Sequence, residues 1–158
     1  MHYWARLARE GRHILAEFPD CPGCQTFARG KDDIAGEATD ALVGWLESHL
    51  ANGEAPPAPK SRPRGRGLLI PVPATLAVRL QLRWARQRGG LSQAEFGKRL
   101  GVTRQQVHLF ESKGTNPRLT SLERIATSLG LELDIAFRAR EPVNRRSRIS
   151  LKGSALRK

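Results

Sequence analysis

Cysteine is scarce in this 158-residue chain, and long apolar runs are missing from it. Two cysteines provide neither the several bridges of a small secreted scaffold nor the four ligands of a structural zinc site. No apolar run approaches the roughly 18 residues of a membrane-spanning helix, and the amino terminus lacks the apolar segment of a signal peptide. We therefore expect a soluble, cytoplasmic protein with no membrane partner, no metal site and no cofactor.

The two cysteines, Cys21 and Cys24, have the Cys-x-x-Cys spacing of a redox dithiol. A redox pair usually lies at the amino terminus of a helix, where the helix dipole lowers the thiol pKa. Here Pro22 and Gly23 separate two strand-like segments, so we interpret the motif as a turn that carries two thiols.

Charge is distributed unevenly along the chain, whose formal total is +12. Residues 1–57 contain five Lys and Arg against nine Asp and Glu, whereas residues 58–158 contain 22 against six. The first part is therefore −4 and the second +16. This split predicts two modules with different partners, and the basic module would attract a polyanion such as nucleic acid.

The acidic part has the pattern of a small α+β unit. Alternating apolar residues predict three strands, over residues 2–8, 12–18 and 24–29. Asp32 or Asp33 can then begin a helix that runs to about Leu50. The pattern predicts a β-β-β-α unit over residues 1–55.

Residues 56–72 change to a composition rich in Pro, Arg and Gly, which predicts a linker or a long loop. Its last residues, Leu68 to Val72, are strand-like. They either return to the first sheet or bridge the two modules.

Residues 73–140 contain the start signals of several short helices. Pro73 can open a first helix, and three capping boxes, each a hydroxyl residue followed three positions later by Glu or Gln, predict further helix starts. The boxes begin at Ser92, Thr103 and Thr120. Only Gly101 and Val102 separate the second helix from the third, which predicts a helix-turn-helix. Small or apolar residues occupy the positions where the two helices must touch: Phe96, Gly97, Leu100, Val102, Val107 and Phe110.

The third helix presents a polar stripe opposite its apolar one. The candidate base-contacting residues are Arg104, Gln105, His108 and Leu109. Arg and Gln form paired hydrogen bonds with guanine and adenine, and Leu contacts a thymine methyl group; the alternative is a solvated polar face. The candidate phosphate contacts are Gln93, at the start of the second helix, and Lys113, Thr115, Asn116 and Arg118 after the third.

Residues 131–138 alternate apolar and polar side chains, as a half-buried strand does. The apolar positions are Leu131, Leu133, Ile135 and Phe137. We expect this strand to pair with its copy in a homodimer or larger assembly suited to a palindromic operator; the alternative is pairing beside residues 68–72. Residues 141–158 form a basic tail that would attract phosphates.

The segment from Leu80 to Leu133 resembles the Cro/CI (XRE-type) helix-turn-helix family. The resemblance rests on Arg86, Leu91-Ser92-Gln93-Ala94-Glu95, Leu100-Gly101-Val102-Thr103-Arg104, Phe110-Glu111-Ser112-Lys113-Gly114, Asn116-Pro117 and Leu129-Gly130. It implies an ion pair between Arg86 and Glu111, a phosphate contact by Gln93, and base contacts by Arg104, Gln105 and Leu109.

The first 55 residues resemble the HicB antitoxin fold, a truncated RNase H-like β-β-β-α-β unit. The residues that carry the resemblance are Tyr3, Phe18-Pro19-Asp20, Pro22-Gly23-Cys24, Glu37-Ala38, Ala41 and Trp45-Leu46. It implies that this unit binds and neutralises a small basic HicA-type toxin, an mRNA-cleaving endoribonuclease. The helix-turn-helix domain would bind the double-stranded operator DNA of the same operon and repress it.

Two other functions need consideration. A nuclease requires several carboxylates that converge on two metal ions about 4 Å apart. Glu10, Glu17 and Asp20 lie in or near the hairpin, but the first and last of them have turn-like positions, so we expect no catalytic residues and no enzyme.

The other alternative is a ligand-responsive Cro/CI-type repressor with a small N-terminal sensor, although a pocket of ~300 Å³ is hard to enclose in so short a module.

Overall fold

The chain folds as an α+β protein in which a sheet and one helix precede four further helices. The computed structural model describes residues 1–29, 33–61, 63–112 and 117–136. The elements are β1 (His2–Glu10), β2 (His13–Glu17), β3 (Gln25–Ala28), α1 (Ile34–Ala51), β4 (Gly67–Pro71), α2 (Ala74–Arg88), α3 (Gln93–Leu100), α4 (Arg104–Glu111) and α5 (Leu119–Ser128). The predicted α+β fold class is therefore confirmed, and no helix of the described ranges is long and apolar enough to cross a membrane.

The strands form one antiparallel sheet in the order β3-β2-β1-β4. The strand-like residues before Pro73 return to the first sheet, where Ile70 of β4 lies opposite Tyr3 of β1. Helix α1 supplies a row of buried residues at every fourth position: Ile34, Ala38, Leu42, Leu46 and Leu50. This row forms one core with the inward residues of the sheet, such as Ala16.

The Cys-x-x-Cys segment is a turn within this core, as predicted. The amide of Cys24 donates to the carbonyl of Cys21 at 2.9 Å, and both side chains are buried free thiols. Burial raises the pKa of Cys21 to about 12 and that of Cys24 to about 11. Both thiols are therefore protonated near neutral pH, which is the state of packing residues rather than of nucleophiles.

The segment between α1 and β4 is a long loop held against the rest of the molecule. We call residues 54–61 the connecting segment. The carboxylate of Asp20 accepts hydrogen bonds from the amides of Lys60 at 2.9 Å and Ser61 at 2.8 Å. The Tyr3 hydroxyl donates to the carbonyl of Pro57 at 2.6 Å. Tyr3 in β1 and Asp20 in the turn after β2 therefore fix a segment whose composition is typical of a linker.

Helix α2 contributes to two hydrophobic cores. Leu76 and Leu80 are buried in the core of the sheet and α1, and Trp84 packs against the same core. Leu82 belongs instead to a second core, which it forms with Phe96, Leu100, Val107 and Ile125. The sheet unit and the helices that follow it are therefore joined through the two sides of one helix.

Helix α5 departs from the sequence prediction at its start. Thr120 was predicted to cap it, but the helix begins at Leu119 and its cap residue is Arg118, which makes no side-chain capping bond. Arg118 is extended, and its carbonyl accepts from the amides of Ser121 and Leu122. The helix thus starts upstream of Thr120, whose hydroxyl lies inside the first turn.

The strand predicted over residues 131–138 is not formed by the part of it that the structure describes. Residues 131–136 form no strand within the described chain, and Phe137 lies outside the described residues. Among the described strands β4 pairs with β1 alone, so residues 131–136 do not pair beside residues 68–72 as the alternative required. A strand requires a partner to satisfy its peptide groups, so pairing with a second copy stays a prediction. Leu131 and Ile135 are 47% and 55% exposed in the single chain.

Gly97 is predicted to be required at the contact between α3 and the following turn. A Cβ atom there would lie 2.7 Å from the carbonyl oxygen of Val102, so Gly97→Ala should lower the free energy of unfolding by about 1–3 kcal/mol. Gly44→Ala, at an exposed position of α1, is the matched control, because its Cβ meets nothing within 4 Å; its free energy of unfolding should rise by roughly 0.5–1 kcal/mol. Urea unfolding measures both, and equal effects of the two substitutions would contradict the close approach.

Candidate nucleic-acid interface

Helices α3 and α4 begin at the two capping boxes predicted for them. The Ser92 hydroxyl accepts from the amide of Glu95 at 3.2 Å, and the Glu95 carboxylate accepts from the amide of Ser92 at 2.8 Å. Thr103 and Gln106 make the same reciprocal pair, at 3.1 and 2.9 Å. Each box satisfies amides that the first helical turn leaves without partners. Gln106 is therefore used in fixing the start of α4.

The turn between the two helices is closed by its backbone. Gly101 has a φ of +67° and ends α3 in the left-handed conformation, which glycine adopts without a Cβ clash. The amide of Val102 then donates to the carbonyl of Gly97 at 2.9 Å. Buried Val107 of α4 packs in the second core with Phe96 of α3. The packing leaves the opposite face of α4 on the outside.

All four candidate base-contacting residues lie on that exposed face. They are Arg104, Gln105, His108 and Leu109. Leu109 is 44% exposed, whereas Val107 is fully buried and Phe110 is half-buried. The structure therefore brings the predicted side chains together on one surface of a short helix that is fixed at its start.

The end of α4 is held by a buried carboxylate, that of Glu111. Arg86 of α2 donates from Nε to Oε1 at 2.5 Å and from Nη2 to Oε2 at 2.9 Å. This is the pair that the family resemblance implies. Arg83 Nε also donates to Oε2 at 3.3 Å, and Gln93 Nε2 donates to the same oxygen at 3.1 Å. One carboxylate thus connects α2, α3 and α4.

Opposing effects act on the ionisation of Glu111. Burial would by itself raise its pKa. The hydrogen bonds from Arg86 and Gln93, together with the charges of Arg86 and Arg83, outweigh burial and hold the pKa below its ordinary value. The carboxylate is therefore ionised at neutral pH, and two guanidinium groups accompany its charge into the interior.

Sequence reasoning missed the part played by Arg83. The residue is 2% exposed, and its second donor, Nη1, bonds to the carbonyl of Glu54 in the connecting segment. The sequence does contain a signal for it. The spacing of Arg79, Arg83 and Arg86 places three cations on the same side of α2, a helix whose other positions are largely apolar. Their burial follows from the packing of α2 between two cores.

The candidate phosphate contacts have different surroundings. Gln93 is half-buried and one of its amide hydrogens is directed to Glu111; a primary amide carries a second hydrogen and an acceptor oxygen. Arg118 is exposed at the start of α5. Lys113, Thr115 and Asn116 lie outside the described residues.

Comparison with known protein families identifies a domain in the second half of the chain. A helix-turn-helix family model matches residues 82–135. This segment is a helix-turn-helix domain. The chain is also similar to Antitoxin HicB 1 of Photorhabdus laumondii, with 25% identity over 128 residues. That alignment covers 81% of this chain and 80% of the relative, so it extends well beyond the helix-turn-helix domain. The two resemblances found in the sequence are thereby confirmed.

The buried cluster predicts a specific effect of pH. Glu111→Gln should lower the free energy of unfolding by about 3–5 kcal/mol at neutral pH, because it leaves two buried arginines without a carboxylate. Since the native pKa of Glu111 is depressed, its stabilising contribution is complete above the unfolded value and is lost as pH falls through the native value. The difference between wild type and variant should therefore shrink as pH falls below about 4.5.

Denaturant unfolding at several pH values measures this difference. Glu123→Gln, at an exposed position of α5, serves as the control and should have little effect on the free energy of unfolding. A wild-type advantage that grows on acidification would contradict the ionised state of Glu111.

Proposed function

We propose that this chain is an antitoxin that neutralises a HicA-type toxin through its N-terminal unit and represses its own operon through the helix-turn-helix domain. The observation that carries the proposal is the similarity to a HicB antitoxin over 81% of the chain. This alignment is too long to lie within the helix-turn-helix match at residues 82–135 and therefore includes residues of the first half. A protein with both parts can bind a toxin and an operator at the same time. Because its DNA target is in the cytoplasm, we assign it there.

The exposed face of α4 supports the DNA-binding part. Helix α4 has an exposed and mostly polar surface, a start fixed by Thr103 and an end fixed by Glu111. Such a helix can enter the major groove without the cost of ordering its ends. Arg104 and Gln105 lie at its amino end, where recognition helices contact bases. Gln93 and Arg118, together with Lys113, Thr115 and Asn116, would contact phosphates.

The charge distribution supports the toxin-binding part. Residues 1–57 carry five basic and nine acidic side chains in a protein of net charge +12. Opposite charge on the two partners steers their encounter and favours a basic protein over the polyanion that the second half binds. The toxin proposed for this unit is small and basic.

Binding rather than catalysis is the role proposed for the N-terminal carboxylates. Glu17 accepts from Arg6 at 2.5 Å on the sheet surface. Asp20 accepts from the amides of the connecting segment, and these bonds oppose the effect of burial and lower its pKa. No group of three His, Cys, Asp or Glu in the described ranges is arranged to hold a metal ion.

A ligand-responsive repressor is the second candidate function. An open cleft of about 480 Å³ lies between the sheet and the connecting segment. Its lining residues are Trp4, Arg6, Pro19, Lys60, Ser61 and Arg64. The cations suit an anionic ligand, but the cleft is wide open rather than enclosed, and small-molecule sites bury most of their ligand. We therefore prefer the antitoxin.

Replacing Arg104 and Gln105 with Ala should abolish specific operator binding and leave toxin binding intact. Each paired contact to a base contributes about 1–3 kcal/mol of discrimination, so the double substitution should cost at least about tenfold in affinity for the upstream DNA of the gene. Gel-shift titration measures this affinity, and co-purification with the product of the adjacent reading frame measures toxin binding. Arg12→Ala, in the β1–β2 turn, removes the same charge and is the control. Loss of both activities together would refute two separate binding surfaces.

Pairing of residues 131–138 between two copies predicts a dimer at micromolar concentration. Ile135→Asp should convert it to a monomer, because a charge would be buried in the shared ladder. Leu119→Asp is the matched control, since Leu119 is 51% and Ile135 is 55% exposed in the single chain. Sedimentation velocity measures the oligomeric state of each protein, and a monomeric wild type would contradict the proposed dimer.

A further inference from the structure

Three arginines line one side of α2 and connect the two halves of the protein. Arg79, Arg83 and Arg86 are all buried. Arg79 Nη2 donates to the carboxylate of Glu47 in α1 at 3.0 Å, on the side of the N-terminal unit. Arg86 bonds only within the helix-turn-helix side, to Glu111 and to the carbonyl of Leu91, among the contacts described. Arg83 lies between them and has one partner on each side.

The two partners of Arg83 are fixed in different parts of the molecule. Its Nη1 donates to the carbonyl of Glu54, where the connecting segment leaves α1, and its Nε donates to the carboxylate of Glu111, where α4 ends. The guanidinium group is planar and rigid. A displacement of the Glu54 carbonyl must therefore either break the first bond or tilt the group that bonds to Glu111.

The position of the connecting segment is in turn set by the N-terminal core. The indole Nε1 of Trp84 donates to the carbonyl of Pro56 at 2.7 Å, and the Tyr3 hydroxyl donates to the carbonyl of Pro57 at 2.6 Å. A continuous series of contacts thus runs from Tyr3 in the sheet, through the connecting segment and Arg83, to the end of α4.

We propose that Arg83 is a positioning residue for DNA recognition, which makes the placement of α4 depend on the position of the connecting segment. Through Arg83, events at the N-terminal unit that move this segment alter operator affinity. The inference rests on the proposed DNA-binding function of α4. It assigns to Arg83 a role that Arg86 does not have, since Arg86 has no described contact with the connecting segment.

The first test compares Arg83→Gln with Arg79→Gln in the full-length chain. Both substitutions remove one buried arginine from the same side of α2, but only Arg83 contacts α4. The quantity measured is the ratio of affinities for a duplex of the gene's own upstream region and a scrambled duplex of equal length. We expect this ratio to fall about tenfold in Arg83→Gln, within the usual range of coupling between sites, and to stay within about twofold of wild type in Arg79→Gln. Equal losses in the two variants, or no loss in Arg83→Gln, would overturn the proposal.

The second test releases the connecting segment without touching Arg83. Tyr3→Phe combined with Trp84→Phe removes the two donors to the carbonyls of Pro57 and Pro56 and keeps a ring at both positions. If Arg83 transmits a displacement of the connecting segment to α4, these two substitutions should lower the affinity ratio when Arg83 is present. They should have no further effect when they are combined with Arg83→Gln. Additive effects would show that the segment acts by another route. Arg83→Lys retains the charge but not the planar group that donates in two fixed directions, so this variant should fold and still show the lowered affinity ratio.

A third measurement needs no DNA and separates this proposal from the proposed function. Hydrogen exchange at the amides of α4 reports its local opening. The variant with both Tyr3→Phe and Trp84→Phe, which we call the release variant, should exchange several-fold faster in α4 than wild type. This difference should vanish when Arg83→Gln is added. A wild type that does not distinguish the two duplexes would refute operator binding, whereas unchanged exchange in the release variant would refute the role of Arg83.

Discussion

The buried carboxylate of Glu111 is the interaction on which the DNA-binding half depends. It is fully buried at the end of α4 and accepts hydrogen bonds from Arg83, Arg86 and Gln93. Removing an ion from water is costly unless its hydrogen-bonding capacity is satisfied. The favourable arrangement therefore exists only when α2, α3 and α4 are all in place, and this requirement selects one geometry for the exposed face of α4.

Helix α2 extends this requirement to the rest of the chain. Its Leu76 and Leu80 are buried with the sheet and α1, while Leu82 is buried with the helix-turn-helix core. The connecting segment adds polar contacts across the same boundary, through the Trp84 indole and the Arg83 guanidinium. Both halves thus share α2, so the proposed binding of a partner at the sheet unit is structurally connected to the helix proposed to contact DNA.

Local signals predicted much of this fold and of the candidate site. The hairpin, α1 and the two capping boxes at Ser92 and Thr103 depend on residues close in sequence, and the structure confirms them. The box at Thr120 failed because the extended backbone of Arg118 starts the helix earlier. The role of Arg83 and the ordering of the connecting segment depend on contacts such as Arg83 to Glu54, 29 residues apart. The spacing of the arginines in α2 indicates only that they share one side of the helix. It does not identify partners so distant in sequence, which only the folded chain shows.

The claim that both halves form one unit through α2 is tested most directly by differential scanning calorimetry of the full-length chain. Shared burial of α2 predicts a single transition in which the van't Hoff and calorimetric enthalpies agree. Two separate transitions, one for the sheet unit and one for the helix-turn-helix domain, would contradict the account, because each half would then keep its structure without the other.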